Sequence, residues 1–238
     1  MAVFKGFPPE ALTFFRGLKR NNNREWFQAR KQFFEEKVRA PMVALVEVIN
    51  AEFARVAPDF VTPPPKSIYR IYRDTRFSKD KTPYKDHIGA LFIQRDLGKH
   101  TSAGFYMGVS PAGVEVAGGV YMPEPEQMLA LRNLFAGRWE DFRAMTAGVR
   151  SFRRLAGELH GDQLARVPKG FPKEHPAQDL LRRKQWYWYV VLDAKLALGP
   201  GLKREVWKRF RAMLPVVEFM NGPLKERRKK QTREAMFL

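Results

Sequence analysis

Residues 70–87 read Arg-Ile-Tyr-Arg-Asp-Thr-Arg-Phe-Ser-Lys-Asp-Lys-Thr-Pro-Tyr-Lys-Asp-His, the densest mixture of titratable side chains in the sequence. Arg70, Arg73, Arg76, Lys79, Lys81 and Lys85 are interleaved with Asp74, Asp80 and Asp86, a surplus of three positive charges. A guanidinium offers a planar fork of donors that matches phosphate or carboxylate, and an ammonium offers a point charge. Thr75, Ser78 and Thr82 add short hydroxyl donors. The set suits an anionic ligand, either a phosphate-bearing molecule or nucleic acid. Asp74 and Asp80 open a second chemistry, because carboxylates in one loop can converge as a general base or as Mg2+ ligands, with a phosphate or carboxylate substrate held by the basic groups. A third reading needs no ligand: alternating Asp and Arg/Lys can form a local ion-pair and turn network, with Phe77 and Tyr84 pinning the loop to the core. The protein is then a non-catalytic structural or interaction protein.

Other candidates are sparser. Lys169 and His175 fall in a Gly- and Pro-punctuated stretch and can join the anion site, with His175 a weak acid–base candidate beside Asp74 and Asp80. The histidines His87, His100, His160 and His175 lack metal-ligand spacing, so no metal site is expected. Neither glycine-rich phosphate fingerprint is present, and no Gly-x-Ser-x-Gly elbow occurs, which disfavours dinucleotide, P-loop and α/β-hydrolase chemistry. Trp186-Tyr187-Trp188-Tyr189 beside Arg182-Arg183-Lys184 has the aromatic and basic mixture of a base-stacking platform. A core strand explains the same residues more simply.

The elements that must position these residues follow from periodicity. Ala11, Leu12, Phe15 and Leu18 predict a helix over Pro8–Lys19, and Asn22 with Glu25 predicts a cap for a second. Helical spacing continues to Phe53 with a division at Pro41. Branched and aromatic residues then predict strands at Ile68–Arg73, Ile88–Gln94, Gly104–Val109, Val114–Val120, Val149–Leu155 and Trp186–Leu192, the last covered on both faces. Helices are predicted over Glu124–Phe135 and Trp139–Thr146, divided at Gly137, with a short one at Ala177–Lys184. A closing helix runs through Leu202–Val217 and a basic tail, flexible or helical, occupies 222–238. The expected fold is α+β, a mostly antiparallel sheet flanked by helices, with 1–238 as a single domain.

Composition bounds the rest. The 238 residues carry 43 Lys+Arg against 25 Asp+Glu, a formal charge of +18, which favours polyanionic or anionic partners. Much of it is dispersed: residues 203–233 hold eleven basic and three acidic side chains. The absence of cysteine excludes disulfides, thiolate nucleophiles and Cys-ligated metals. No apolar run approaches the roughly 18 residues of a membrane helix, and no secretory signal opens the sequence. A soluble cytoplasmic protein without a membrane partner is expected, with no cofactor unless Mg2+ serves the enzymatic reading.

The run Arg73-Asp74-Thr75-Arg76-Phe77-Ser78-Lys79-Asp80-Lys81-Thr82-Pro83-Tyr84-Lys85 resembles the signature of the family called domain of unknown function 2461. Phe4-Lys5-Gly6-Phe7, Asn21-Asn22 with Glu25-Trp26-Phe27, Gly118-Gly119 before Pro123, and Pro168-Lys169-Gly170-Phe171 with His175-Pro176 extend the resemblance over nearly the whole chain. It implies a single α+β domain and assigns no activity, cofactor or catalytic residue.

Overall fold

The structure, a computed structural model, describes residues 3–97, 102–146 and 150–236, with side chains as far as residue 226. Helix α1 (Pro9–Arg20) opens on a proline at its first position and buries Ala11, Leu12, Phe14, Phe15 and Leu18. Asn23, rather than Asn22, caps α2 (Arg24–Gln28), its side-chain oxygen accepting from the Trp26 amide at 2.9 Å. Helix α3 (Lys31–Phe34) runs into a π-helical turn, Glu35–Arg39, and then α4 (Ala40–Val56). Pro41 brings no amide to the ladder, and just before it the Ala40 N–H reaches back to the Glu35 carbonyl, which realises the predicted division. Met42, Leu45, Val46, Ile49 and Phe53 form the buried stripe of α4. A 3-10 turn at Pro58–Phe60 and the short α5 (Pro64–Ser67) follow.

Ile68–Arg73 does not form the predicted strand. It makes isolated bridges only, Ile68 opposite Ala90 and Tyr72 opposite Tyr84. The ladder around Tyr72 is stopped on both sides by side chains: Lys85 Nζ takes the Arg70 carbonyl, and the Thr82 N–H turns to Asp80 Oδ1.

Among the described residues, five strands make one antiparallel sheet: β1 (Ile88–Ile93), β2 (Gly104–Ser110), β3 (Gly113–Val120), β4 (Leu159–His160) and β5 (Trp186–Leu192), in the order β1-β2-β3-β5-β4. Strand β4 was not predicted; it sets Leu159 opposite Trp188 and His160 opposite Tyr187. Between β3 and β4 lie α6 (Pro125–Met145) and α7 (Arg150–Ala156). Glu124 and Gln127 close a capping box on α6, whose backbone leaves helical geometry at Arg138, next to the predicted break at Gly137. Helix α7 replaces the strand predicted at Val149–Leu155. The one β-branched residue of that run, Val149, lies outside the described residues, and Phe152 and Ala156 are buried at helical spacing. Helix α8 (Gln178–Leu181) precedes β5, and a 3-10 turn at Ala194–Leu198 leads to α9 (Gly201–Met236), whose backbone stays helical through Pro215 and Pro223 and into the predicted tail. The chain is α+β.

The chain groups into two units, each assembled from three stretches: Met1–Phe92, Tyr106–Val116 and Val191–Trp207 in the first, Ile93–Phe105, Ala117–Val190 and Lys208–Leu238 in the second. In the first unit Phe53 packs against Phe60, Phe92 and Trp207, with ring centroids 5.7, 5.4 and 5.1 Å away. A second aromatic cluster joins Phe14, Phe27 and Phe34 between the amino-terminal helices. In the second unit Phe135 meets Trp186 at 5.4 Å, Phe152 meets Trp188 at 5.1 Å and Phe105 meets Phe210 at 5.0 Å. Trp186 is fully buried and its indole N–H donates to the Leu180 carbonyl. Strand β5 is covered on one face only: Trp186 and Trp188 point into the core, while Tyr187 and Tyr189 are half-buried and Val191 is 51% exposed. Alternation along the strand thus separates the tryptophans, which are core, from the tyrosines.

Candidate functional site

The segment 70–87 is a two-armed excursion of the first unit, and its base is anchored at Tyr84. The Asn22 side chain clamps the Tyr84 backbone in both directions: the Tyr84 N–H donates to Asn22 Oδ1 at 3.0 Å and Asn22 Nδ2 donates to the Tyr84 carbonyl at 2.9 Å. A primary amide carries one acceptor and one donor edge, so it completes a backbone residue as a neighbouring strand would. The Tyr84 ring, 2% exposed, stacks on Phe27 with centroids 4.3 Å apart and meets Tyr72 at 5.4 Å. Burial pushes the Tyr84 hydroxyl above its ordinary range. Two motifs far apart in sequence, Asn22 with Phe27 and the loop ending at Tyr84, are one packed structure.

Side chains then staple the two arms together. Lys85 Nζ donates to the Arg70 carbonyl at 3.0 Å and lies 5.0 Å from the Tyr69 ring. Arg73 Nη1 donates to both Asp80 Oδ2 and Thr82 Oγ1. Lys81 Nζ donates to the Thr75 carbonyl at 2.9 Å. At the tip, Arg76 forks onto Asp74, Nε to Oδ1 at 3.0 Å and Nη2 to Oδ2 at 2.8 Å, and the Arg76 amide also donates to Asp74 Oδ1. The Thr82 amide donates to Asp80 Oδ1 at 2.9 Å. Each carboxylate therefore makes an Asx turn and holds one guanidinium.

These contacts set the acidity of both aspartates. Hydrogen bonds from Arg76 hold Asp74 down to about 2, and hydrogen bonds from Arg73 and then from Thr82 hold Asp80 down to about 2, against an ordinary 3.8. Because the folded values are depressed, the ion pairs contribute order at all pH above the ordinary carboxylate range and lose it as pH falls from near 4 toward 2. Carboxyl carbon resonances of Asp74 and Asp80 are expected to titrate with midpoints near 2; midpoints near 3.8 would show that the pairs do not form in solution. Carboxylates so strongly acidic, and turned to separate guanidinium partners, make weak bases near neutral pH. Among the described residues, no group of three or more His, Asp or Glu is arranged to hold a metal ion.

The sequence-derived candidates separate into three groups. Arg73, Arg76, Lys81 and Lys85 each spend donors inside the loop. Arg70 and Lys79 are exposed, and their side chains make no hydrogen bond or close ion pair among the described residues. Lys169 and His175 belong to the second unit. Lys169 is exposed in a turn where the Phe171 amide donates to the Pro168 carbonyl. His175 is a clasp: its Nδ1 accepts the Ala177 amide at 3.0 Å, which leaves Nε2 as the donor to the Ala136 carbonyl at 3.0 Å. His87 Nδ1 lies 3.3 Å from Asp86, His160 stacks on Tyr187 at 5.7 Å, and His100 lies outside the described residues. Phe77 does not pin the loop; it is 95% exposed. The role of Asn22 escaped the sequence, which read it as a helix cap; the adjacent Asn23, able to do that job alone, was the available signal.

The family model described as Conserved hypothetical protein (DUF2461) matches residues 10–219. The chain belongs to the DUF2461 family. No curated protein and no solved structure compared with the chain matches it. Several segments that carry the DUF2461 resemblance have structural duties here: Asn22 and Phe27 hold Tyr84, Gly119 admits the β5 backbone, and His175 ties its loop to the end of the Phe135 helix turn. None of the described helices is long and apolar enough to cross a membrane.

Proposed function

We propose that this DUF2461 protein is a cytoplasmic anion-binding protein that takes a phosphate-bearing ligand, nucleic acid included, on the 70–87 loop. The observation that carries the reading is the division of labour among its charges. Asp74 and Asp80 are held at close range by Arg76 and Arg73, which leaves Arg70, whose charge reaches Asp74 only at a distance, and Lys79 exposed on an internally braced surface. The Lys81 ammonium has two further N–H groups beyond the one it donates to the Thr75 carbonyl. A braced loop loses little conformational freedom when a ligand docks, and this favours binding. The wider excess of +18 adds attraction at a distance without specificity. The acidity of Asp74 and Asp80 makes each a weak base near neutral pH, which supports binding over base catalysis by these two residues.

The test is binding of inorganic tripolyphosphate and of a labelled oligonucleotide at low salt to the wild type and to the Arg70→Ala/Lys79→Ala variant. The variant is expected to bind both roughly tenfold more weakly, since each lost phosphate contact removes a charge-assisted hydrogen bond. Unchanged affinity for both would remove the loop from consideration as an anion site.

A further inference from the structure

Phe77 sits at the tip of the stapled loop with its ring almost wholly in water, between Arg76 and Ser78. It makes no contribution to the core, so the fold does not account for it. The backbone beneath it is held: the Ser78 amide donates to the Thr75 carbonyl at 3.3 Å, and the Asp74–Arg76 fork fixes the residue before the ring. The Arg76 guanidinium carbon lies 5.8 Å from the ring centroid. Lys79 is two residues on, with its Cα at most about 7 Å from that of Phe77, so an exposed ring and an unpaired ammonium are carried by the same short stretch of the braced loop.

From this placement we infer that the loop binds single-stranded nucleic acid, with Phe77 stacking on a base while Lys79 and Arg70 meet the phosphates. The inference rests on the anion-binding reading above and adds the ligand class. Every base has a π-face, so one flat exposed ring beside cations supplies affinity without sequence readout. In a duplex those faces are already covered by neighbouring bases, and the ring has nothing to stack on. An anionic lipid surface fits less well: residues 73–87 contain no Val, Leu, Ile or Met to make an apolar patch around the ring. The dispersed positive charge of the chain complements a strand with many phosphates better than a single small anion.

The test uses the full chain, at about 50 mM salt, with a fluorescent oligonucleotide of about 12 nucleotides, alone and annealed to its complement. Tripolyphosphate competition and capture by phosphatidylserine-containing vesicles are run in parallel. Phe77→Ala is expected to weaken single-strand binding roughly tenfold while duplex binding and tripolyphosphate competition stay within about twofold of wild type. Phe77→Trp is expected to restore the single-strand affinity. The ring is exposed, so melting of both variants should match wild type and a folding defect cannot mimic the result. Single-strand affinity unchanged in Phe77→Ala overturns the inference, as does a loss confined to vesicle capture or the absence of strand binding by the wild type. Failure of the underlying anion site is distinguished by Arg70→Ala/Lys79→Ala: if that variant binds both tripolyphosphate and the oligonucleotide as wild type does, both readings fall, whereas if it is weakened and Phe77→Ala is not, only the stacking role is lost.

Discussion

Asn221→Ala should lower the stability of the protein by about 3 kcal/mol, because it strands two buried backbone groups at once. Asn221 is 0% exposed, and its side chain accepts the Ala103 N–H at 2.8 Å and donates to the Ala103 carbonyl at 2.9 Å. Ala103 is itself fully buried, so water does not replace the lost partner. For a chain of this size the loss corresponds to a fall in Tm of roughly 6–12 °C. Asn221→Asp separates hydrogen bonding from shape. It keeps the volume and one acceptor, but a carboxylate cannot donate to the Ala103 carbonyl and would bury a charge, so it should be at least as damaging as Ala. Urea denaturation of the three proteins measures this. Variants within about 0.5 kcal/mol of wild type would mean that Ala103 finds other partners. The same two-way clamp recurs where Asn50 holds Thr62 (2.7 and 3.0 Å) and where Asn22 holds Tyr84. Both of those are part-buried, and smaller losses are expected there.

Gly119→Ala should cost at least about 3 kcal/mol, for a different reason. Gly119 has φ +132, outside the range an L side chain adopts readily, and a Cβ built there would lie 2.2 Å from the Trp186 carbonyl oxygen and 2.6 Å from the Tyr187 Cα. Both obstacles are backbone, so no rotamer change relieves the clash; strand β3 must move away from β5 beneath the Trp186 and Trp188 core. Gly137→Ala is the matched control, because nothing lies within 4 Å of a Cβ at that helical position. There the substitution should be neutral or stabilise by up to about 1 kcal/mol. Thermal melts of the two variants should therefore move apart, and equal melts would contradict the close approach of β3 to β5.

The contrast between these positions explains how far the sequence can be read. Trp186–Leu192 is legible as a strand because aromatic and β-branched residues favour a pleated surface whatever lies beside it; its one-sided burial is not, because alternation is hidden when both faces carry large aromatics. Ile68–Arg73 has the composition of a strand and fails to form one because the Lys85 ammonium takes the Arg70 carbonyl and the Asp80 carboxylate takes the Thr82 amide, side chains 15 and 2 residues from the backbone groups they capture. The central loop is legible as a charge-dense segment, and its two Asx turns agree with the preference of Asp for local amides. Which cation pairs with which carboxylate is a matter of geometry that spacing does not determine. Phe77 and Tyr84 read alike in sequence, as aromatic anchors, yet one is 95% and the other 2% exposed. The difference arises because Tyr84 lies at the base of the arms, where Asn22 and Phe27 receive it, and Phe77 lies at the tip. The asparagine clamps leave no local signature at all, since the partner residue contributes only its backbone.

On the proposed function, anions bind at the braced loop rather than through the bulk charge of the molecule. The most direct test is the salt dependence of oligonucleotide binding for wild type, Arg70→Ala/Lys79→Ala and a charge-matched control, Lys31→Ala/Lys37→Ala, which removes two exposed lysines from the amino-terminal helices. If the loop is the site, the slope of log K against log salt falls by about 1 to 2 for the loop variant, roughly one released counterion per lost phosphate contact, and stays at the wild-type value for the control. Equal reductions in slope for the two variants would contradict the claim and assign binding to net charge alone.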